Sequence, residues 1–268
     1  MLIHNGDAER VATAKEAIEH FSQAVKKSVD VFVSQVSYQA PISSATVRES
    51  LLAWFLSVTG DHQWQGYLSP CTSQAQRLKR LGHTLNIAPK KLKKTLRRRK
   101  RVSVTRALTE KNIRAWQRML DEGWDYLLVV EDDVVVADGS HTEITDAVSA
   151  LAAHNPSELL FASIARAVST DDLGATGLVA TQSETLSWFL RPVSNTAAAY
   201  VVSRALAEAF LVEIITYPFL RAIPADWLLN RLFMRFHRRG IAIPSFHANQ
   251  GIFVNRSILG QLPSQTKV

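Results

Sequence analysis

The run Tyr126-Leu127-Leu128-Val129-Val130 is apolar without a break and stops abruptly at three consecutive acids, Glu131-Asp132-Asp133. Five apolar residues in a row predict a parallel strand covered on both faces, because a strand with one wet face would alternate apolar and polar positions. Ligands of open α/β sheets bind outside the carboxyl ends of the strands, and the acids fall at such an end. Adjacent carboxylates repel one another, and burying even one without a counter-charge is costly, so the pattern points to a cation in the folded protein. The competing reading is a solvated strand end or a set of helix-capping acids.

The flanking pattern alternates in kind. Apolar Val11, Ala14, Ile18, Phe21 and Val25 recur at helical spacing and predict a helix over Ala8 to Ser28, ahead of a strand from Val29 to Val36. Ser44 is placed to cap a helix within Ser44 to Val58, with Val47, Leu51 and Trp54 on one face. Thr109 is placed to cap a helix carrying Ile113, Trp116 and Leu120, which ends near Gly123. Helices are also expected over Thr142 to Ala153, Arg204 to Ile215 and Ala225 to Arg239, the last stopped by Gly240. Strands are expected over Leu159 to Ile164, Thr196 to Val202 and Ile241 to Ile243. The expectation is an α/β fold with a Rossmann-type mixed sheet flanked by helices, preceded by one extra N-terminal helix, in a single domain over residues 1–268.

Charge is concentrated rather than spread. Arg77 to Arg101 holds twelve Lys and Arg and no acid, which leaves 19 basic residues against 24 acids in the remainder. Gly82, Asn86 and Pro89 punctuate this segment, so it is expected as a loop or short helices inserted at 77–101. Its charge would attract phosphates, anionic lipid headgroups or nucleic acid, and a solvated loop is the plain alternative. No Phe, Tyr or Trp interrupts it to stack on bases, which weighs against single-strand recognition. The single cysteine, Cys71, cannot form an intramolecular disulfide, and no run of about 18 uncharged apolar residues is present. A cytoplasmic protein is expected.

The chemistry a triplet of acids can do depends on its ion. Magnesium or manganese held by one or two carboxylates keeps positions for water and phosphate oxygens, which suits a nucleotide diphosphate. Asp133 and Asp132 are the metal candidates, with Glu131 and Asp132 as donor contacts. His247, after the last expected strand, could complete the metal shell or serve only structure. Two-metal hydrolysis by a nuclease or phosphatase uses similar clusters.

Three segments stand in order along the chain. The first runs from Ile113-Arg114-Ala115-Trp116 through the strand to Glu131-Asp132-Asp133-Val134. The second is Asn195-Thr196-Ala197-Ala198-Ala199-Tyr200-Val201-Val202-Ser203-Arg204, and the third is Pro224-Ala225-Asp226. In this order they resemble family 25 glycosyltransferases of the lipooligosaccharide-biosynthesis type. The resemblance spans roughly residues 103–260 and implies a GT-A fold. It also implies inverting transfer of a sugar, often galactose, from a nucleotide-diphosphate donor to a glycan or lipid-linked glycan acceptor. By the same resemblance Asp226 is the general base or acceptor contact, whereas a first-turn helix acid is the reading from position alone. Asn195 and Thr196 either contact donor sugar or cap a turn, and Tyr200 is expected in the core. The family's paired arginines after the first strand are not evident here; only Arg48 lies nearby. Lipid-linked acceptors make the inner face of the plasma membrane a plausible location for the basic segment.

Overall fold

In the structure, a computed structural model, residues 1–4, 8–25, 34–37, 44–69, 73–166, 171–194 and 196–255 are described. The N-terminal part runs β1 (Leu2–His4), α1 (Ala8–Val25), β2 (Gln35–Ser37), α2 (Val47–Leu68), α3 (Gln74–Arg97) and α4 (Arg99–Glu122). Next come β3 (Tyr126–Glu131), β4 (Val134–Val136), α5 (His141–Ala152), β5 (Phe161–Ser163), β6 (Ala165–Arg166), β7 (Val179–Gln182) and β8 (Leu186–Phe189). The chain continues through β9 (Ala199–Ser203), α6 (Arg204–Thr216), α7 (Ala225–Arg238), β10 (Ser245–Ala248) and β11 (Phe253–Asn255).

Among the described residues, eight strands form one sheet in the order β2-β1-β3-β9-β5-β10-β8-β7, and β4-β11-β6 form a second, small sheet. The large sheet is mixed. β3 runs parallel to β1 but antiparallel to β9, with Val130 opposite Ala199, so the apolar run is covered on both faces without being wholly parallel. Strand alternation divides the core in two. Leu127 and Val129 join Trp116, Phe161, Tyr200, Phe210 and Phe233 under α4, α6 and α7. Val130 joins Leu2, Leu160, Phe246 and Phe253 under α1 and α5. The result is an α/β architecture with helices on both faces.

Several expectations are corrected by tertiary context. The basic segment, expected as a loop or short helices, is helical and its helices are long: α3 spans most of it and α4 begins within it, each of 24 residues. Ser73 caps α3 by accepting from the Gln76 amide at 3.3 Å, and Pro89 lies inside the helix. The turn at Pro89 is held to α2 by the Trp54 indole N–H, which donates to the Ala88 carbonyl at 2.8 Å. The break falls instead at Arg98, whose φ and ψ of −111° and 44° leave the helical region. Thr109 is no cap, because α4 starts ten residues earlier; its buried hydroxyl donates to the Ile223 carbonyl at 2.5 Å. Gly123 does end α4, at φ 73°.

The α2 cap is Thr46 rather than Ser44. Thr46 and Glu49 form a reciprocal capping box, with the Thr46 amide donating to Glu49 Oε2 at 2.7 Å and the Glu49 amide donating to Thr46 Oγ1 at 3.2 Å. The strand expected over Ile241 to Ile243 falls instead at Ser245–Ala248, because residues 241–244 carry no regular structure, and β11 follows it. Most of the strand expected from Val29 and the single cysteine, Cys71, lie outside the described residues. Among the described residues no helix is long and apolar enough to cross a membrane.

Candidate active site

The three acids that close β3 diverge. Glu131 is the last strand residue, its amide donating to the Ala198 carbonyl at 2.8 Å, and alternation sends its side chain to the face covered by α4 and α7. Asp132 is buried on the other side, 3.9 Å from the Arg10 guanidinium of α1. Asp133 accepts from the Asn255 side-chain amide of β11 at 2.9 Å. The counter-charge that the sequence pattern demands is thus partly supplied from within the fold. Lys111 of α4, only 4% exposed, adds to it. Burial pushes the Lys111 ammonium down to about 8, against the pull of Asp132 and Glu131. Burial likewise pushes Glu131 up to about 8, reinforced by Asp133, opposed by Lys111, and raised further by Asp132 and Asp226.

Asp226 is the second residue of α7, which starts at Ala225 directly after Pro224, a residue that disfavours helix in the chain before it. Its carboxylate accepts from the backbone N–H of Trp227 and from its own, so the first-turn role expected from position is present. Burial nevertheless raises its pKa above the ordinary range for aspartate, while those two amides and Arg101 pull it back down.

Glu131 and Asp226 line one cavity of about 580 Å³, a size suited to a small-molecule ligand. Thr196 lines it too. Its Oγ1 accepts from the Ala198 amide at 3.2 Å, so the turn role and the cavity position coexist. The loop that carries Thr196 is fixed by Asn230 of α7, whose side-chain amide exchanges hydrogen bonds with both backbone groups of Ser194 at 2.8 and 3.0 Å. Asn195 lies outside the described residues. The opposite wall comes from α2, α3 and α4 and includes Lys94, Arg98 and Arg101, and the helix α7 adds Arg231.

His247 stands apart from the acids. It is buried in β10 with its ring 4.2 Å from that of Phe189, and its Nε2–H donates to the Val193 carbonyl at 2.7 Å. Burial pushes its pKa down to about 4, so the ring is neutral at physiological pH. Among the described residues no group of three or more His, Cys, Asp or Glu side chains is gathered to hold a metal ion. The shell of Asp132, Asp133 and His247 is therefore not assembled. A hard divalent ion shared with phosphate oxygens needs fewer protein ligands. Asp133, whose negative charge adds to the cost of ionising Glu131, supplies with it two carboxylates that fit such an ion.

Sequence reasoning missed the cationic wall and Lys111. The wall was visible as twelve bases without an acid, but only folding into α3 and α4 turns part of that run inward. Lys111 sits three residues after Leu108 and four before Ala115, on the apolar stripe of its helix, which is the available signal. No protein-family model and no curated protein sequence matches the chain.

Proposed function

We propose that the cavity is the active centre of a sugar-nucleotide-dependent glycosyltransferase with a GT-A-type fold. The observation that carries this reading is the meeting of Glu131 and Asp226 with the Lys94, Arg98 and Arg101 wall in a single cavity. An inverting transfer needs a carboxylate to take the proton of the acceptor hydroxyl as that oxygen attacks the anomeric carbon. Asp226 is that base, and its raised pKa brings it closer to the working pH than a solvated aspartate. As the bond from the sugar to the diphosphate breaks, negative charge grows on the leaving oxygen, and fixed cations at the wall stabilise it there. Glu131 and Thr196 contact the donor. A manganese or magnesium ion held by Asp133 and Glu131 would supply further positive charge to the diphosphate.

The acceptor is a glycan or lipid-linked glycan of cell-surface polysaccharide or lipooligosaccharide synthesis, and the enzyme works on the cytoplasmic membrane face. Helix α3 supports attachment there, since Leu78, Leu81 and Leu85 are exposed among its lysines and arginines. Co-sedimentation with anionic vesicles should be salt-sensitive; none at low salt removes the attachment. For the reaction itself, thermal melting in the presence of sugar nucleotides and manganese is the direct test. A bound donor raises the melting temperature, and Asp133→Ala abolishes the manganese-dependent part. If no sugar nucleotide shifts melting, the transferase reading fails.

A further inference from the structure

Arg231 is only 7% exposed, yet its guanidinium meets neutral partners alone. One Nη donates to the Gln63 side-chain carbonyl and the other to Thr59 Oγ1 at 3.2 Å, both on α2. Among the described residues no carboxylate pairs with it. Its charged neighbours are Arg235 and Arg238, which together with burial pull its pKa down to about 10. Glu213, the acid that meets Arg235 one turn further along α7, is already committed: it accepts from Arg235 at 2.6 Å and also from Arg239. Gln63 Oε1 is shared as well, accepting from Arg238 at 2.7 Å. Burying a cation among neutral groups and like charges is costly unless an anion joins it.

That anion has an approach from outside, because Arg231 lines the cavity. On the facing helix α2 the wall is Gly60, and a Cβ built there would meet nothing within 4 Å. Glycine within a helix is unfavourable relative to alanine, and here no crowding by the protein requires it. The bare backbone leaves space in the cavity that Arg231 also lines.

We propose that the α2–α7 end of the cavity is an anion subsite in which Arg231 binds a phosphate group of a ligand. A guanidinium offers two parallel N–H donors to phosphate, which is the partner chemistry its geometry matches best. The subsite lies about 7.5 Å along the α7 axis from Asp226, five residues at 1.5 Å each. It rests on the transferase reading only for its meaning there: the phosphate belongs either to the donor or to an anionic acceptor. The binding site itself stands on Arg231 and Gly60, which line the cavity, with Thr59 and Gln63 holding the guanidinium in place.

Isothermal titration with inorganic phosphate and with uridine diphosphate, at constant ionic strength, tests this on the full chain. Wild type should bind phosphate saturably, and Arg231→Gln should weaken it about tenfold or more. Gly60→Ala, which displaces no protein atom, should also weaken phosphate while melting at the wild-type temperature or above, and it serves if Arg231→Gln misfolds. Uridine diphosphate weakened in parallel assigns the subsite to the donor, whereas uridine diphosphate unaffected assigns it to an anionic acceptor. Both outcomes uphold the subsite. Phosphate that does not bind wild type, or that binds both variants as it binds wild type, overturns it. A phosphate response without any sugar-nucleotide response sinks the transferase reading and leaves the subsite standing.

Discussion

Two arginines are buried to nearly the same extent on opposite faces of the sheet, and they are treated differently. Arg10, 6% exposed on α1, faces Asp132 at 3.9 Å; Arg231, 7% exposed on α7, faces a threonine, a glutamine and two further arginines. On the α1 face, charge is closed within the protein and the packing around it is continuous with a small second sheet. On the α7 face, Glu131, Asp226 and Arg231 border open space. A fold gains nothing by leaving charges of both signs half-desolvated along a cavity, so the asymmetry marks where an outside ligand completes the electrostatics. The difference separates charge that serves structure from charge that serves binding.

Removing charge from each face should therefore have opposite signatures. The largest effect belongs to Asp226→Asn, which should lower sugar transfer by about 100-fold or more, with melting unchanged or raised. Transfer kinetics beside a melting curve check this, and retained activity would sink the base assignment. The second contrast is in stability. Arg10→Gln takes a guanidinium away from the buried Asp132, with Lys111 still offsetting part of its charge, and should cost about 2 kcal/mol in urea unfolding, whereas Arg231→Gln should cost less than about 1 kcal/mol because no carboxylate loses a partner. Equal losses would erase the distinction between the two faces.

The parts of this arrangement readable from sequence are those fixed by local pattern. β3 and the acids at its end are legible because an apolar run of that length has few alternatives, and Gly123 marks the end of α4 because only a left-handed residue fits there. Pro89, Gly82 and Asn86 mislead because their helix-breaking tendency is overridden by packing of α3 on α2, with Trp54 reaching the turn at Ala88. The direction each acid takes is not local either. Asp132 and Asp133 follow the strand end, where alternation no longer sets direction, so Arg10 and Asn255 decide it from far along the chain. Arg231 reads in sequence as one of several arginines on an amphipathic helix; only the docking of α2 through Thr59 and Gln63 buries it. The site's acids were thus recognisable, whereas its cations were not.

His247 is the counter-example that sharpens the contrast, because it lies on the cavity side of the sheet and yet is fully accounted for by the protein. Its ring rests against Phe189 and its Nε2–H is used by the Val193 carbonyl. The native state keeps it neutral down to a pKa of about 4, whereas an unfolded histidine takes up a proton near pH 6.5. Between those values the unfolded chain binds more protons than the native one, so stability must fall as pH is lowered through about 6.5 and go on falling until about 4. The full loss is roughly 3 kcal/mol. His247→Gln keeps a donor for Val193 without a titrating group, so its unfolding free energy should fall less over that window by about the same amount. Parallel pH profiles for wild type and variant would show that the ring is not held neutral by the core, and would reopen its Nδ1 to a ligand role on this face.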